Sequence, residues 1–278
     1  MKLSFTTLGC PKWDLDQIIS RAAEYGFDGI DFRGIREQME IYRLPEFAEH
    51  AQETRRKIEQ AGLKVSCFSS SVYLFSTEKR EQHVHEIEQY ARLCETFGTP
   101  YIRVFGGKIG QTDRKQAVDI VVQHARKLAQ IAKRHGAKLL LETHDDWTAA
   151  NDVKAVTDAV GPEELAVLWD VHHPYRTLGE KPQETWAVLG DRIEYTHWKD
   201  SRLNPKREKG FEYCLMGEGD VPLHEIYEVL VQNGYEGWFT FEWEKRWHPE
   251  LEEPEIAFPQ YVRFMCDLRD HLTAPNNI

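Results

Sequence analysis

Short runs of apolar and β-branched residues alternate with longer amphipathic stretches along the whole chain, the pattern of repeated βα units. Eight such units can be counted, with strands expected near Leu3 (LSFTTL), Gly29 (GIDFR), Leu63 (LKVSCFS), Tyr101 (YIRVF), Lys138 (KLLLETH), Leu165 (LAVLWD), Ile193 (IEYTHWK) and Trp238 (WFTFEWE). Helical periodicity fills the intervals: Leu15 to Tyr25, Pro45 to Ala61, Lys79 to Phe97, Arg114 to His135, Asn151 to Val160, Glu184 to Leu189, Leu223 to Gln232 and Pro254 to His271. Glycines at Tyr25-Gly26-Phe27, Ala61-Gly62-Leu63 and Asn233-Gly234-Tyr235 supply the left-handed residue that closes a helix before the next strand. This order predicts a single-domain (β/α)8 TIM barrel over residues 1–278.

The connections after the strands are longer than these joints. The largest, from Asp200 to Pro222, is expected to form a lid or a substrate wall directly after His197. Others follow strand two (RGIREQMEIYRLPEF) and Glu242 (KRWHPELEEPE). Barrel enzymes place substrate contacts at this end of the strands.

Four successive strands end on a metal-capable side chain: LLLETH at Glu142, VLWD at Asp170, EYTH at His197 and FTFE at Glu242. Any one alone would read as a solvated or ion-paired rim group. In combination, at strand ends that converge on one mouth, they predict a divalent-cation site. Three carboxylates and one imidazole suit Mn²⁺ first, with Mg²⁺, Co²⁺ and Zn²⁺ as alternatives. Alternation along each strand turns His144 inward with Glu142, Lys199 with His197, and Glu244 with Glu242. It turns Trp169, Trp198 and Trp243 outward, to pack barrel against helices.

The motifs YIRVFGG, LLLETH, WDVHH, THWKD, GEGDVP and FTFEWE resemble those of the xylose isomerase-like TIM barrels, in the sugar phosphate isomerase/epimerase group that includes tagatose and psicose 3-epimerases. The resemblance implies that Glu142, Asp170, His197 and Glu242 ligate one metal, and that His173 contacts substrate or supports the ligands, with His172 competing for that role. A cation on a substrate carbonyl and a neighbouring hydroxyl would stabilise an enediolate, and Glu142 and Glu242 could then exchange protons on opposite faces of a ketose carbon. The ETH arrangement, with Arg103 and Lys199, is also similar to 3-dehydroshikimate dehydratase, a lyase. His144 then reads either as a catalytic proton carrier or as a hydrogen-bonding support. Lys199 reads as a substrate contact or as a salt bridge to Glu142 or Glu244, and Arg103 as a substrate clamp or as an ion pair that orients Glu142.

Phe105, Trp147, Trp13, Trp247 and His248 are expected to supply an apolar wall against a sugar ring. Arg33, Arg202, Lys206, Arg207 and Lys209 offer charge to an anionic tail, although loop charges are more often simply solvated. Histidines on the helical stretches, His83, His85, His124 and His135, are expected at the surface.

Composition narrows the partners. A formal net charge of −11 argues against nucleic acid, and strand three offers no histidine of the kind a multi-metal endonuclease IV cluster requires. No apolar run approaches the length of a membrane span, and no secretory signal pattern opens the chain. Five scattered cysteines without a CxxC pair fit a reducing, cytoplasmic setting. There is no GxxxxGK[ST], HExxH or GxSxG. The expected partner is a small sugar or sugar-derived molecule, and exposed helical faces are compatible with a homodimer. The competing non-enzymatic reading is a sugar-binding barrel or complex subunit whose metal serves structure.

Overall fold

A computed structural model describes residues 1–76 and 78–273, so the last five residues of the expected barrel lie outside the described residues. The barrel strands are β1 (Lys2–Thr6), β2 (Gly29–Phe32), β3 (Lys64–Tyr73), β4 (Tyr101–Phe105), β5 (Lys138–Glu142), β6 (Leu165–Asp170) and β7 (Ile193–Trp198), then β10 (Trp238–Phe241) after a hairpin of β8 (Asp200–Leu203) and β9 (Phe211–Cys214). Every neighbouring pair of barrel strands is parallel, and β10 closes on β1 through registers such as Phe5 opposite Phe241. The fold is therefore the expected (β/α)8 barrel. The helices are α1 (Leu15–Tyr25), α2 (Ala51–Gln60), α3 (Arg80–Phe97), α4 (Arg114–Lys133), α5 (Ala150–Val160), α6 (His172–Leu178), α7 (Pro182–Leu189), α8 (Leu223–Gln232) and α9 (Pro254–Thr273). None among the described residues is long and apolar enough to cross a membrane.

Local chemistry sets the element ends. Asp14 accepts from the backbone N–H of Gln17 at 2.8 Å while the Gln17 side chain accepts from Asp14 N–H at 3.0 Å, a capping box that starts α1. Gly26, at φ 87°, ends it in the left-handed conformation that lets the chain turn into β2. Alternation then divides each strand. Outward residues such as Phe5, Ile30, Phe68, Ile102, Leu139 and Trp169 join the main core beneath the helices. Inward residues make a second, smaller cluster inside the barrel, with Cys67, Leu140, Ala166, Leu168 and Tyr195. Polar inward groups there pair with one another: Ser4 with Thr240 at 2.6 Å, and Ser66 with the Tyr195 hydroxyl at 2.8 Å.

Three features differ from the sequence expectation. The segment after β7 folds into the β8–β9 hairpin, because Asp200 accepts N–H bonds from Gly217 and Gly219 at 2.9 Å each and ties the GEGDVP turn back onto the strand. Gly219 is required there, since a Cβ would lie 2.1 Å from Asp200 Oδ1. The helix expected from Pro45 begins only at Ala51. His83 and His124, expected at the surface, are buried and stacked at 5.4 Å where α3 meets α4, with His124 Nδ1 2.9 Å from the Leu74 carbonyl.

That pair has a pH consequence. Burial, with His124 and Lys79 nearby, pushes His83 from 6.5 down to about 4, and burial lowers His124 as well. The unfolded chain therefore takes up protons first as pH falls below about 6.5, and this part of the stability is lost progressively toward about pH 4. Urea midpoints measured across that range should fall less steeply for His83→Gln than for the wild type. Parallel curves would rule out the pair as a source of acid sensitivity.

Candidate metal centre

The four strand-end residues converge. Ligand atoms of Glu142, Asp170, His197 and Glu242 all lie within 4.8 Å of one another, and all four side chains are buried. His197 Nδ1 faces Glu142 Oε1 at 3.3 Å and Glu242 Oε1 at 3.2 Å. Asp170 Oδ1 accepts the backbone N–H groups of His172 at 2.9 Å and His173 at 3.2 Å, which orients its other oxygen into the cluster.

Two buried cations lie against the carboxylates. Arg103 Nε is 3.2 Å from Glu142 Oε2, its Nη1 donates to the Ser70 carbonyl at 2.9 Å, and its guanidinium sits 3.8 Å over the Phe105 ring. The ion pair with Glu142, one of the two readings of Arg103, is thus present. Lys199 Nζ contacts Asp170 Oδ2 at 2.8 Å, Glu242 Oε2 at 2.5 Å and Glu244 Oε1 at 3.0 Å. The salt-bridge reading of Lys199 is satisfied through Glu244, together with Asp170 and Glu242 in place of Glu142.

Burial would raise the proton affinity of all three carboxyls, and the cations decide where each ends. Lys199 and His197 hold Glu242 well below the usual carboxylate range. Arg103 and His197 hold Glu142 below it despite the repulsion of Glu242. Asp170 is pushed up to about 7, because burial and the two glutamates outweigh Lys199.

A hard or borderline divalent cation fits this donor set, which has three carboxylates, one imidazole and no thiolate. Glu142 Oε2 and Asp170 Oδ2 are buried against Arg103 Nε and Lys199 Nζ, so positive charge already stands beside two of the oxygens that a divalent cation would use.

The other predicted residues separate. His144 lies beside the cluster with its ring 4.8 Å from both Phe105 and His173, and it lines a cavity of about 600 Å³ with His173, Lys209, Phe211 and Tyr213. His173 Nε2 is 3.5 Å from Asp170 Oδ2, whereas His172 Nε2 pairs with Ser201 Oγ at 2.8 Å and its ring packs on Phe211 and Tyr213. His173 therefore faces the cluster, and His172 supports the hairpin. Trp169, Trp198 and Trp243 are buried in the outer core as expected. Trp147 corrects the expectation of a substrate wall: it is fully buried in that core, so close under Gly106 that a Cβ there would lie 2.1 Å from its ring. Trp13 is likewise buried, edge-on to Phe258.

Sequence reasoning missed Asp31. It sits on β2, fully buried, with Oδ2 3.2 Å from His197 Nε2 and within 3.3 Å of the Tyr195 hydroxyl. The available signal was alternation in GIDFR, which turns Asp31 inward between outward Ile30 and Phe32 and so demands a polar partner. Within the Asp200–Pro222 segment expected as a lid or substrate wall, Phe211 and Tyr213 were not singled out, because they reach the cavity only through the hairpin.

Comparison with known proteins fits this architecture. The xylose isomerase-like TIM barrel description matches residues 19–266. The chain belongs to that family. Within it, the chain is 28% identical over 146 residues to an inosose dehydratase of Bacillus licheniformis, covering 48% of this chain and 46% of that one. It thus aligns with about half the length of that relative. A 3-dehydroshikimate dehydratase of Bacillus anthracis is 26% identical over 234 residues, covering 77% and 79% of the two chains. A fructoselysine 3-epimerase of Escherichia coli O157:H7 is 21% identical over 253 residues, covering 87% and 90%. Among solved structures, the IolI protein with a bound zinc atom superposes with a TM-score of 0.81 at 17% identity, covering 99% of this chain and 100% of that one. The three sequence relatives are thus two dehydratases and an epimerase.

Proposed function

We propose that this chain is a divalent-metal-dependent isomerase or epimerase that moves a proton at the carbon beside the carbonyl of a ketose or sugar phosphate. The ligands are Glu142, Asp170, His197 and Glu242, and Mn²⁺ is the first choice of metal, ahead of Mg²⁺, Co²⁺ and Zn²⁺. The observation that carries the reading is the disposition of the two glutamates. One oxygen of each faces His197 Nδ1, while the other lies against a cation, Arg103 for Glu142 and Lys199 for Glu242.

When bound, a divalent cation would draw charge from a substrate carbonyl and an adjoining hydroxyl and make the C–H between them more acidic. Glu142 and Glu242 approach from different strands, so one can take a proton from one face of the carbon and the other return it on the opposite face. Arg103 and Lys199 keep both carboxylates ionised and fixed in direction. Phe211 and Tyr213 wall the mouth against water.

Asp31 acts through His197. By accepting from Nε2–H it holds the ring so that Nδ1 faces the carboxylates and remains the ligand atom. Asp31→Asn is expected to weaken Mn²⁺ binding by about 10- to 100-fold, read by calorimetric titration, with the barrel still folded. An affinity within about twofold of the wild type would remove Asp31 from this role.

One observation favours a second reading, dehydration. His144 is a proton carrier beyond the two glutamates, beside His173 on the cavity wall. Departure of hydroxide needs an acid at the leaving oxygen as well as a base at carbon. Two of the relatives above are dehydratases, and one is an epimerase.

Proton NMR in D₂O separates the readings, using Mg²⁺-loaded protein with ketoses, ketose phosphates, an inosose and 3-dehydroshikimate. Deuterium entering beside the carbonyl, with an epimer or isomer accumulating, supports the first. Loss of water to an unsaturated product, abolished in His144→Ala, supports the second. No exchange with any member would sink both.

A further inference from the structure

Among the described residues three arginines are buried, and two of them have guanidinium groups tied down by neighbours. Arg103 is held by Glu142 and the Ser70 carbonyl, and Arg192 by the carbonyls of Thr157 and Leu165. Arg33 is different. It is only 9% exposed, its Nη1 is buried without a partner, and among the described residues its guanidinium makes no hydrogen bond or ion pair. Leaving a charge buried and uncompensated is costly, and such groups persist where a ligand completes them.

The register places Arg33 at the mouth. On β2, Asp31 lies opposite Cys67 and Phe32 opposite Phe68, which carries Arg33 level with Ser69; Ser69 in turn pairs with Arg103 on β4. The inward face is fixed by three contacts on these strands: Asp31 reaches His197, Cys67 lies in the barrel interior, and Arg103 reaches Glu142. Alternation therefore turns Arg33 inward with Ser69, whose hydroxyl is also buried without a partner. The mouth thus has a carboxylate half from β5, β6 and β10, and two arginines, one just past β2 and one on β4, on either side of Ser69 of β3.

Charge on the arginine side is unbalanced. Glu142 answers Arg103, and among the described residues no carboxylate forms an ion pair with Arg33. Glu86, whose field reaches Arg33, is already engaged with the backbone N–H of Ser71 at 2.5 Å. Burial, with Arg103 adding repulsion, pushes Arg33 down to about 10, which still leaves it charged at neutral pH.

We propose that Arg33, assisted by Ser69, is the anion clamp of this mouth, and that the substrate is a polyhydroxylated ketone carrying a carboxylate or a phosphate. The guanidinium would hold the anionic end of the molecule while its carbonyl end faces the carboxylate cluster. This rests on the functional reading given above and narrows its substrate class.

The test uses calorimetric titration of the Mg²⁺-loaded protein with two matched pairs: fructose 6-phosphate against fructose, and 3-dehydroshikimate against its methyl ester. The wild type should prefer the charged member of one pair by roughly 10- to 100-fold, the worth of a charge-assisted contact, and the pair that responds identifies phosphate or carboxylate. Arg33→Met should reduce that preference to within about twofold, and Arg33→Lys should keep most of it. Because Arg33→Met removes an uncompensated buried charge, it should melt no lower than the wild type.

Equal binding of charged and neutral members, no binding of either anion, or an unaltered preference in Arg33→Met would overturn the clamp. Deuterium exchange recorded on the same four compounds tells the two ideas apart. A clamped anion that never exchanges leaves Arg33 standing and removes the proton-transfer reading. Exchange on neutral sugars without any charge preference does the reverse.

Discussion

Glu242→Gln is expected to lower kcat/KM by at least roughly 10²- to 10⁴-fold while the barrel stays folded. Glutamine keeps the shape of the side chain but can neither hold the transferred proton nor match a carboxylate as a ligand for a hard cation. The substitution is also clean, because Lys199 retains Asp170 and Glu244 as partners and is not left as an orphan charge. Glu142→Gln should cost comparable activity, with a larger loss of stability. Its neighbour Arg103 is only 1% exposed and among the described residues pairs with no other carboxylate. Circular dichroism melts and Mn²⁺ titration should accompany the kinetics, so that misfolding and loss of metal are separated from loss of proton transfer. Wild-type rates from either variant would sink the assignment of both glutamates.

Lys199→Met is expected to destabilise the metal-free protein by roughly 3–5 kcal/mol, the usual consequence of removing one partner from a buried ion cluster. Lys199 is almost fully buried and is the common contact of Asp170, Glu242 and Glu244. Without it these carboxylates face one another in a medium that screens poorly. A divalent cation adds positive charge at the same place, so saturating Mn²⁺ should restore the variant by a larger increment than it gives the wild type. Urea unfolding with and without Mn²⁺ measures both increments. Equal metal stabilisation of variant and wild type would mean that Lys199 contributes packing rather than charge balance.

The positions of these carboxylates were legible without a structure because each sits at the end of a short apolar run. That pattern is local, requiring only the two-residue alternation of a strand and the convergence of strand ends in a closed barrel. Glu142, Asp170, His197 and Glu242 could therefore be named together, and alternation correctly turned Lys199 inward and Trp169, Trp198 and Trp243 outward. Trp147 escaped the same reasoning because it lies in a loop, where no period says which way a ring points. It was assigned to the cavity and lies buried beneath Gly106.

Partners across the barrel were a different matter. Asp31 and His197 are 166 positions apart and meet only because β1 and β10 close the sheet. His172 and His173 are neighbours in sequence, and only the hairpin beyond β7 gives one to Ser201 and leaves the other to Asp170. His83 and His124 looked like surface residues because each lies on a polar helical stretch. Burial came from the facing helix, whose orientation neither segment encodes by itself. The chain's own periodicity determined the strands, the helices and the inward face that carries the ligands. Tertiary structure decided which buried charges are compensated, leaving Arg33 without an ion-pair partner among the described residues, because charge balance depends on distances that exist only after the barrel closes.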